Sequence, residues 1–407
     1  MDYKIEEIDL HITDFCSCNC PNCYATRPGM VRKHGDLDTL KLIVHNAIAN
    51  GGVKRFVMVG GDPCEYPHLI ELLKYIREEG SKYGIETEII VLSNTHDYKE
   101  NGKIVPIEYA AQFVDEMDVT IHGKNAEKHD AYNHTPGSYN RVVNNLNRFA
   151  AVKKDNQTLC AVLNLVPSTV SEIEEIMQAT IDVFHDKLDS FCVQRIVPEG
   201  RAEGDSQWFI RKEDVSTIME VFRKVMEEKG KDINFCDVLP WCMVDKKYWD
   251  MLNEGGCNWG TEVLAAYMDG KLTRCAMSQN GLSKKMTELD TPEKWNDFWN
   301  NDPSLVAFRN KTHLDNKCKT CELLSRCGGS CVLARESGDP YIKTINIYDN
   351  PLITNKMLQR SLHGKGRDDL AEKTIAIDDK TGKVTLKIPT DFSVLDSNEA
   401  GHDYLRR

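Results

Sequence analysis

No long apolar run occurs in the first twenty residues, which open instead on the charges Asp2, Lys4, Glu6 and Glu7. That excludes a signal peptide or a membrane span there, so the expected setting is cytoplasmic, with no membrane partner. Basic residues are in deficit, 51 against 63 acidic, for a formal charge of -12. A broad nucleic-acid surface needs the opposite balance. There is no internal repeat and no low-complexity stretch. What remains is an ordinary globular composition, 41% hydrophobic and 28% charged, in a chain of 407 residues, long enough for two or three domains.

Cysteine is the residue in excess. Fifteen without an export signal indicate metal binding or catalysis sooner than disulfides. Nine fall in ligand-like spacings. Cys18, Cys64, Cys160, Cys192, Cys236 and Cys242 are scattered and are expected to pack as small hydrophobes.

Residues 5 to about 230 alternate short apolar runs with amphipathic stretches. Strands are predicted at Ile5–Thr13, Arg55–Val59, Glu88–Ser93, Asp118–His122, Leu159–Val166 and Ser190–Val197. Helices are predicted near 37–49, 66–80, 107–115, 139–154, 169–185 and 211–229. This rhythm defines an α/β fold with a parallel sheet. Six units fall short of a closed eight-fold barrel, which leaves an open, TIM-like partial (β/α)6 barrel with its functional face at the C-terminal strand ends. The expected boundaries are 1–235 for the barrel, 236–350 for a small cysteine-rich domain and 351–407 for a C-terminal extension. Too little continuous apolar pattern lies in the middle segment for a core of its own, so it is expected to be organised by metal. In the extension, Thr374–Ile377 and Lys383–Ile388 flank a turn and predict a hairpin, followed by a polar tail.

Cys16, Cys20 and Cys23 form a Cys-x3-Cys-x2-Cys run followed by Tyr24, at the end of the first strand. A [4Fe–4S] cube takes four thiolates, one per iron, so three leave one iron open. Here the chain resembles the radical S-adenosylmethionine (SAM) superfamily, whose open iron binds the amino and carboxylate groups of SAM. Gly60-Gly61-Asp62-Pro63 at the second strand end is similar to the family's Gly-Gly-Glu-Pro, which receives the SAM amino group. Ser93-Asn94-Thr95 and Thr120-Ile121-His122-Gly123 are similar to its third and fourth strand endings. Asn94 and Thr120 are therefore implied contacts to the ribose and carboxylate of SAM. His129-Asp130 and Gly137-Ser138-Tyr139 follow the same pattern, but Asn133 stands where the family often has an Arg for the carboxylate. Cys64, next to Pro63, is either a hydrogen-atom donor or a packing residue.

The later cysteines read Cys257-x12-Gly270-x4-Cys275 and Cys318-x2-Cys321-x5-Cys327-x3-Cys331. They suit a zinc ribbon, and they resemble the SPASM extension of certain radical SAM enzymes, which holds up to two auxiliary [4Fe–4S] clusters. The resemblance implies Cys257, Cys275 and Cys331 for one cluster and Cys318, Cys321 and Cys327 for the other. No cysteine follows Cys331. Fourth ligands are then sought at Cys236 or Cys242 for one cluster and Asp339 or Asp349 for the other, or a corner stays open for a substrate thiolate.

The resemblance implies reductive cleavage of SAM to a 5′-deoxyadenosyl radical that takes hydrogen from an unactivated C–H, fed by an external donor such as flavodoxin or ferredoxin. The expected substrate is a residue of a ribosomally made peptide, crosslinked through a thioether or carbon–carbon bond or otherwise oxidised. The first strand begins almost at once, so leader recognition is expected from a separate protein or the C-terminal domain. Two alternatives stand: formylglycine formation of the anaerobic sulfatase-maturase kind, whose presumed base is an Asp where this chain has Ala276, and oxidation of a tetrapyrrole-type small molecule. A non-catalytic zinc or electron-transfer protein is the alternative from another class.

Overall fold

In the computed structural model the described residues are 3–26, 29–203, 205–235, 238–336, 375–377 and 384–386. They form two units, residues 1–335 and 336–407.

The strands in chain order are β1 (Glu7–His11), β2 (Arg55–Val59), β3 (Glu88–Ser93), β4 (Tyr98–Glu100), β5 (Lys103–Val105), β6 (Glu116–Ile121), β7 (Thr158–Leu165), β8 (Ser190–Arg195), β9 (Asp232–Phe235), β10 (Val263–Tyr267), β11 (Lys271–Thr273) and β12 (Gly281–Lys285). All but β4 and β5 share one sheet, in the order β12-β11-β10-β1-β2-β3-β6-β7-β8-β9. The run from β10 through β1 to β9 is parallel. Helices Leu37–Ala49, Leu69–Lys82, Ser138–Val152, Ile173–Phe184 and Lys212–Lys229 provide crossovers. This is the expected α/β partial barrel, with its strand positions within a few residues of those read from the sequence.

Two-residue alternation separates the faces of the sheet. One face carries Ile8, Leu10, Phe56, Met58, Ile89, Val91, Met117 and Val119, all fully buried, as positions beneath the helices must be. The other carries Glu7, Asp9, His11, Arg55, Glu88, Glu116, Asp118 and Thr120. On it Val57, Ile90, Leu92, Asp118 and Thr120 remain half-buried, so this side is open, unlike the side-chain-filled interior of a closed barrel. Only towards β7 and β8 does it pack shut, through Leu92, Cys160, Val162 and Cys192.

Several features depart from the sequence reading. The helix expected over 107–115 is one turn, Ile107–Ala110; a hairpin of β4 and β5 precedes it, and an unexpected helix covers Ala126–Asn133. The expected boundary at residue 235 falls inside the first unit. There β10 lies in parallel register on β1, from Glu7↔Val263 to His11↔Tyr267, and β11 and β12 extend that edge antiparallel. Side chains support the junction: Asn46 and Asn50 donate to the carbonyls of Met286 and Leu289, both at 2.9 Å. Trp299 donates to the Tyr3 carbonyl at 2.7 Å. In the second unit Ile375–Ile377 pairs antiparallel with Val384–Leu386, the hairpin that was expected. No helix among the described residues is long and apolar enough to cross a membrane.

Candidate functional site

Behind β1 the chain turns into the loop that holds Cys16, Cys20 and Cys23, and the glycines of β2 make room for it. A Cβ on Gly60 would lie 2.4 Å from the Thr13 carbonyl, and one on Gly61 2.2 Å from that of Phe15. Gly61 N–H donates to Thr13 O and Asp62 N–H to Phe15 O, both at 2.7 Å. The Gly-Gly pair thus brings backbone against the cysteine loop itself. On the loop's far side Gly200, at φ +64, lies close beneath the Cys23 and Tyr24 carbonyls. Arg201 donates from its backbone to Cys23 O at 3.0 Å and from Nη1 to Cys20 O at 2.8 Å. Neither Gly200 nor Arg201 was singled out from sequence, where Pro198-Glu199-Gly200 reads as a turn.

Asp62 is buried and joins the ends of β2 and β3. Its carboxylate accepts from Ser93 Oγ at 2.6 Å, from Cys64 N at 3.0 Å and from Asn94 N at 3.2 Å. Burial raises its pKa against those hydrogen bonds. Asn94 turns its amide to Cys16 Sγ at 3.4 Å. Cys64 is fully enclosed, 2.9 Å from Ser93 Oγ, its thiol pushed up by burial and then by Asp62. Of its two expected roles, the structure supports packing: a shielded, protonated thiol behind Pro63 is not presented to a substrate.

Each of the three thiols has its own side-chain neighbour. Asn94 serves Cys16; Thr26 Oγ1 donates to Cys23 Sγ at 3.4 Å; His122 Nε2 lies 3.8 Å from Cys20 Sγ. His122 stacks on Tyr132 with centroids 4.5 Å apart, which fixes its ring. Asn133 does not reach the site as expected. It is completely buried beneath the loop, donating to Ser138 Oγ at 2.9 Å, accepting from Thr135 N at 3.1 Å, and receiving Asn19 N–H on its carbonyl. Asp130 likewise caps the helix Ser138–Val152 through the N–H groups of Gly137 and Tyr139. Thr120 stands half-buried on the open face of β6, in the expected place.

The second set of cysteines approaches the same end of β1 through β10. His11 stacks on Tyr267, centroids 4.2 Å apart, and meets Tyr24 edge-on. Its pKa is pushed down to about 4 by burial, with the Ala276 carbonyl acting the other way. The ring is thus neutral, donating to Ala276. Burial pushes the Cys275 thiol up, the Arg274 guanidinium acts against that, and Cys257 and Cys331 lie near enough to add to the rise. The turns bearing Cys257 and Cys327 meet where Gly256 and Gly328 pack backbone to backbone and Gly255 N–H donates to Arg326 O at 2.8 Å. Cys321 is exposed, as is Cys242, which was expected to pack. Cys236, Asp339 and Asp349 lie outside the described residues.

The donor set fits iron–sulfur clusters. Three thiols on one short loop, each with a polar neighbour at its sulfur, suit a cube held at three irons with the fourth open.

The sequence profile of the radical SAM superfamily matches residues 10–180. Residues 10–180 are thus similar to a radical SAM domain, the loop just described lies within that stretch, and the chain is an enzyme. A relative, the AdoMet-dependent heme synthase of Methanosarcina barkeri (strain Fusaro / DSM 804), is 21% identical over 363 residues, which cover 82% of this chain and 93% of the relative. Two solved structures have a similar fold. Streptococcus suis SuiB bound to precursor peptide SuiA matches with a TM-score of 0.62 and 15% identity, over 81% of this chain and 72% of SuiB. Native anSMEcpe with bound AdoMet matches with a TM-score of 0.61 and 12% identity, over 81% of this chain and 90% of that one.

Proposed function

We propose that the protein is a cytoplasmic radical SAM maturase that oxidises or crosslinks residues of a ribosomally made peptide, with a flavodoxin or ferredoxin as electron donor. The observation that carries this reading is the pairing of β10 on β1. It stacks Tyr267 on His11, so the strand that leads towards Cys275 runs beside the strand that leads into the Cys16 loop. A half-buried sheet face beside two cysteine sets suits an oxidation in which hydrogen and an electron leave the substrate by different routes. The similar folds include one solved with a precursor peptide, which supports a peptide as occupant.

Cys16, Cys20 and Cys23 would hold the first [4Fe–4S] cluster, and the later triads the auxiliary ones. When bound, cluster and SAM supply a 5′-deoxyadenosyl radical able to take hydrogen from an unactivated C–H. Asn94, Thr26 and His122 steady the thiolates. Gly60, Gly61 and Asp62 set the loop height and leave strand-end polar groups facing the SAM amino group. Tyr24, Asn94 and Thr120 line the space for the nucleoside, and half-buried Val57 and Leu92 shield it from water.

The heme synthase relative supports a second reading, oxidation of a tetrapyrrole-type molecule. The test is anaerobic incubation of the reconstituted enzyme, SAM and reductant with each short peptide encoded beside its gene. 5′-Deoxyadenosine and a peptide that has lost hydrogen mass are expected; no mass change in any such peptide would overturn the maturase reading. In parallel, iron content of about twelve per chain should fall to about eight when Cys16, Cys20 and Cys23 are all changed to Ala.

A further inference from the structure

The Cys16 sulfur receives two hydrogen bonds, from Asn94 Nδ2 at 3.4 Å and from the Cys18 N–H at 3.3 Å. The first comes from the turn behind β3, the second from the cysteine loop itself. That turn reaches the loop a second time. His96 Nδ1 lies 2.7 Å from Oγ of Ser17, the residue between Cys16 and Cys18. Residues 94 and 96 thus grip adjacent positions of the loop, and Thr95 sits between them. Thr95 is β-branched yet has φ at +53, is fully buried, and leaves its Oγ1 without a partner. A β-branched residue in the left-handed region is strained, and such strain persists only where the surroundings over-determine it. Here they do. Thr95 N–H donates to Ser93 Oγ at 2.8 Å, and Asn145 Nδ2 donates to the carbonyls of Thr95 and His96 at 2.6 and 2.9 Å.

Every hydrogen bond behind His96 has a fixed direction. Asn133 accepts Thr135 N–H on Oδ1, so its Nδ2 donates to Ser138 Oγ at 2.9 Å. His129 accepts His122 N–H on Nδ1, and burial lowers its pKa to about 4. The neutral ring therefore carries its hydrogen on Nε2 and donates to the same Ser138 Oγ at 3.3 Å. With both lone pairs taken, the Ser138 hydroxyl gives its own hydrogen away. His96 Nε2 at 3.0 Å takes it, being nearer than the Cys18 sulfur at 3.9 Å. Burial and then Arg141 hold the pKa of His96 at about 4, so this ring is neutral too. Accepting on Nε2, it donates from Nδ1 to Ser17 Oγ. The chain of hydrogen bonds runs one way, from buried Ser138 to exposed Ser17.

We propose that His96 is a positioning residue of the first cluster: held by the strained turn at Thr95, it pins Ser17 and so keeps the Cys18 N–H on the Cys16 sulfur. Asn94, on the same turn, supplies the second donor directly. Hydrogen bonds to a cluster thiolate favour the reduced state and raise the potential, so the turn behind β3 eases electron entry from the donor protein. The proposal rests on the assignment of Cys16, Cys20 and Cys23 to that cluster and is independent of the substrate.

The experiment uses the full chain, reconstituted anaerobically, and follows by EPR the reduced-cluster signal that changes when SAM is added, as a function of solution potential. Ser17→Ala should lower its midpoint at full iron content. Ser17→Thr, which restores the hydroxyl at an exposed position, should return the wild-type value. His96→Leu should shift the midpoint in the same sense as Ser17→Ala, and the double variant should shift it no further, because both changes remove one contact. Ser17 is exposed, so its two variants decide the matter should His96→Leu not fold. An unchanged midpoint in Ser17→Ala, a Ser17→Thr value as low as that of Ser17→Ala, or shifts that add in the double variant would overturn the proposal. A wild-type enzyme with no SAM-responsive signal would remove the first-cluster assignment as well, whereas a signal whose midpoint is the same in every variant removes the proposal alone.

Discussion

At the scale of single residues, the contact between His122 and Cys20 is the most consequential one absent from the motif comparison. The fourth strand ending of the family that the chain resembles is Ser-Ile-Asp-Gly, which puts Asp where this chain has His122. A carboxylate there would repel a thiolate, whereas imidazole Nε2–H can donate to it across 3.8 Å. Burial and His129 lower the His122 pKa, so the ring is neutral and has one hydrogen to give. Hydrogen bonds to cluster sulfurs favour the reduced state and raise the potential. His122→Phe keeps the stack on Tyr132 but removes that donor. In a variant whose later cysteines are changed to Ala, so that one cluster remains, potentiometric EPR titration should show the midpoint move to lower potential. An unchanged midpoint would reduce His122 to a packing role. Asn94→Ala at Cys16 should act in the same direction.

At the scale of elements, the strands were legible because each alternates between an apolar face under the helices and a mixed face towards the lumen. Ile8, Leu10 and Ile12 mark one face of β1, and its complement, Asp9 and His11, marks the other. The cysteine spacings were legible as well, since short loops fix ligand order. What sequence could not show was where backbones touch. Gly60 and Gly61 read as leaving room for a ligand, and they also let the Thr13–Phe15 backbone pack against them. Asn133 was placed by its spacing in a motif, but the turn after its helix takes it under the loop, where both ends of its amide are used. This predicts the effect of Gly61→Ala. A methyl group 2.2 Å from the Phe15 carbonyl forces the cysteine loop off β2, at about 1–3 kcal/mol for a strained insertion. The barrel should survive, with far-UV circular dichroism unchanged, while about four of the irons are lost. Full iron loading would show that the loop can rise without losing its ligand geometry.

At the scale of the molecule, the boundary drawn at residue 235 failed for a physical reason. A segment rich in turns and cysteines carries little periodic signal, yet Val263–Tyr267 is a run of five that is buried along most of its length, as a parallel strand inside a sheet should be. It covers the edge of β1, and Gly51 lets the Trp295 ring pack where a Cβ would lie 2.5 Å from it. The barrel and the later cysteines therefore share one core, and the SAM loop cannot be separated from the second cysteine set without opening it. A chain ending at residue 235 would expose the unpaired edge of β1, with the buried row Ile8, Leu10 and Ile12 beside it, and such an edge recruits other chains. It should aggregate on expression. A chain ending at residue 335 retains the whole first unit and should remain in solution, unfold in one transition and load about twelve irons. Sedimentation, thermal melting and iron analysis of the two truncations decide between this account and the modular one. If the 1–235 chain folds and cleaves SAM alone, β10 is an ornament on a finished barrel. If it does not, the Cys16 loop and the later cysteines hang on neighbouring strands of one sheet, and the register of β1 on β10 sets where each begins.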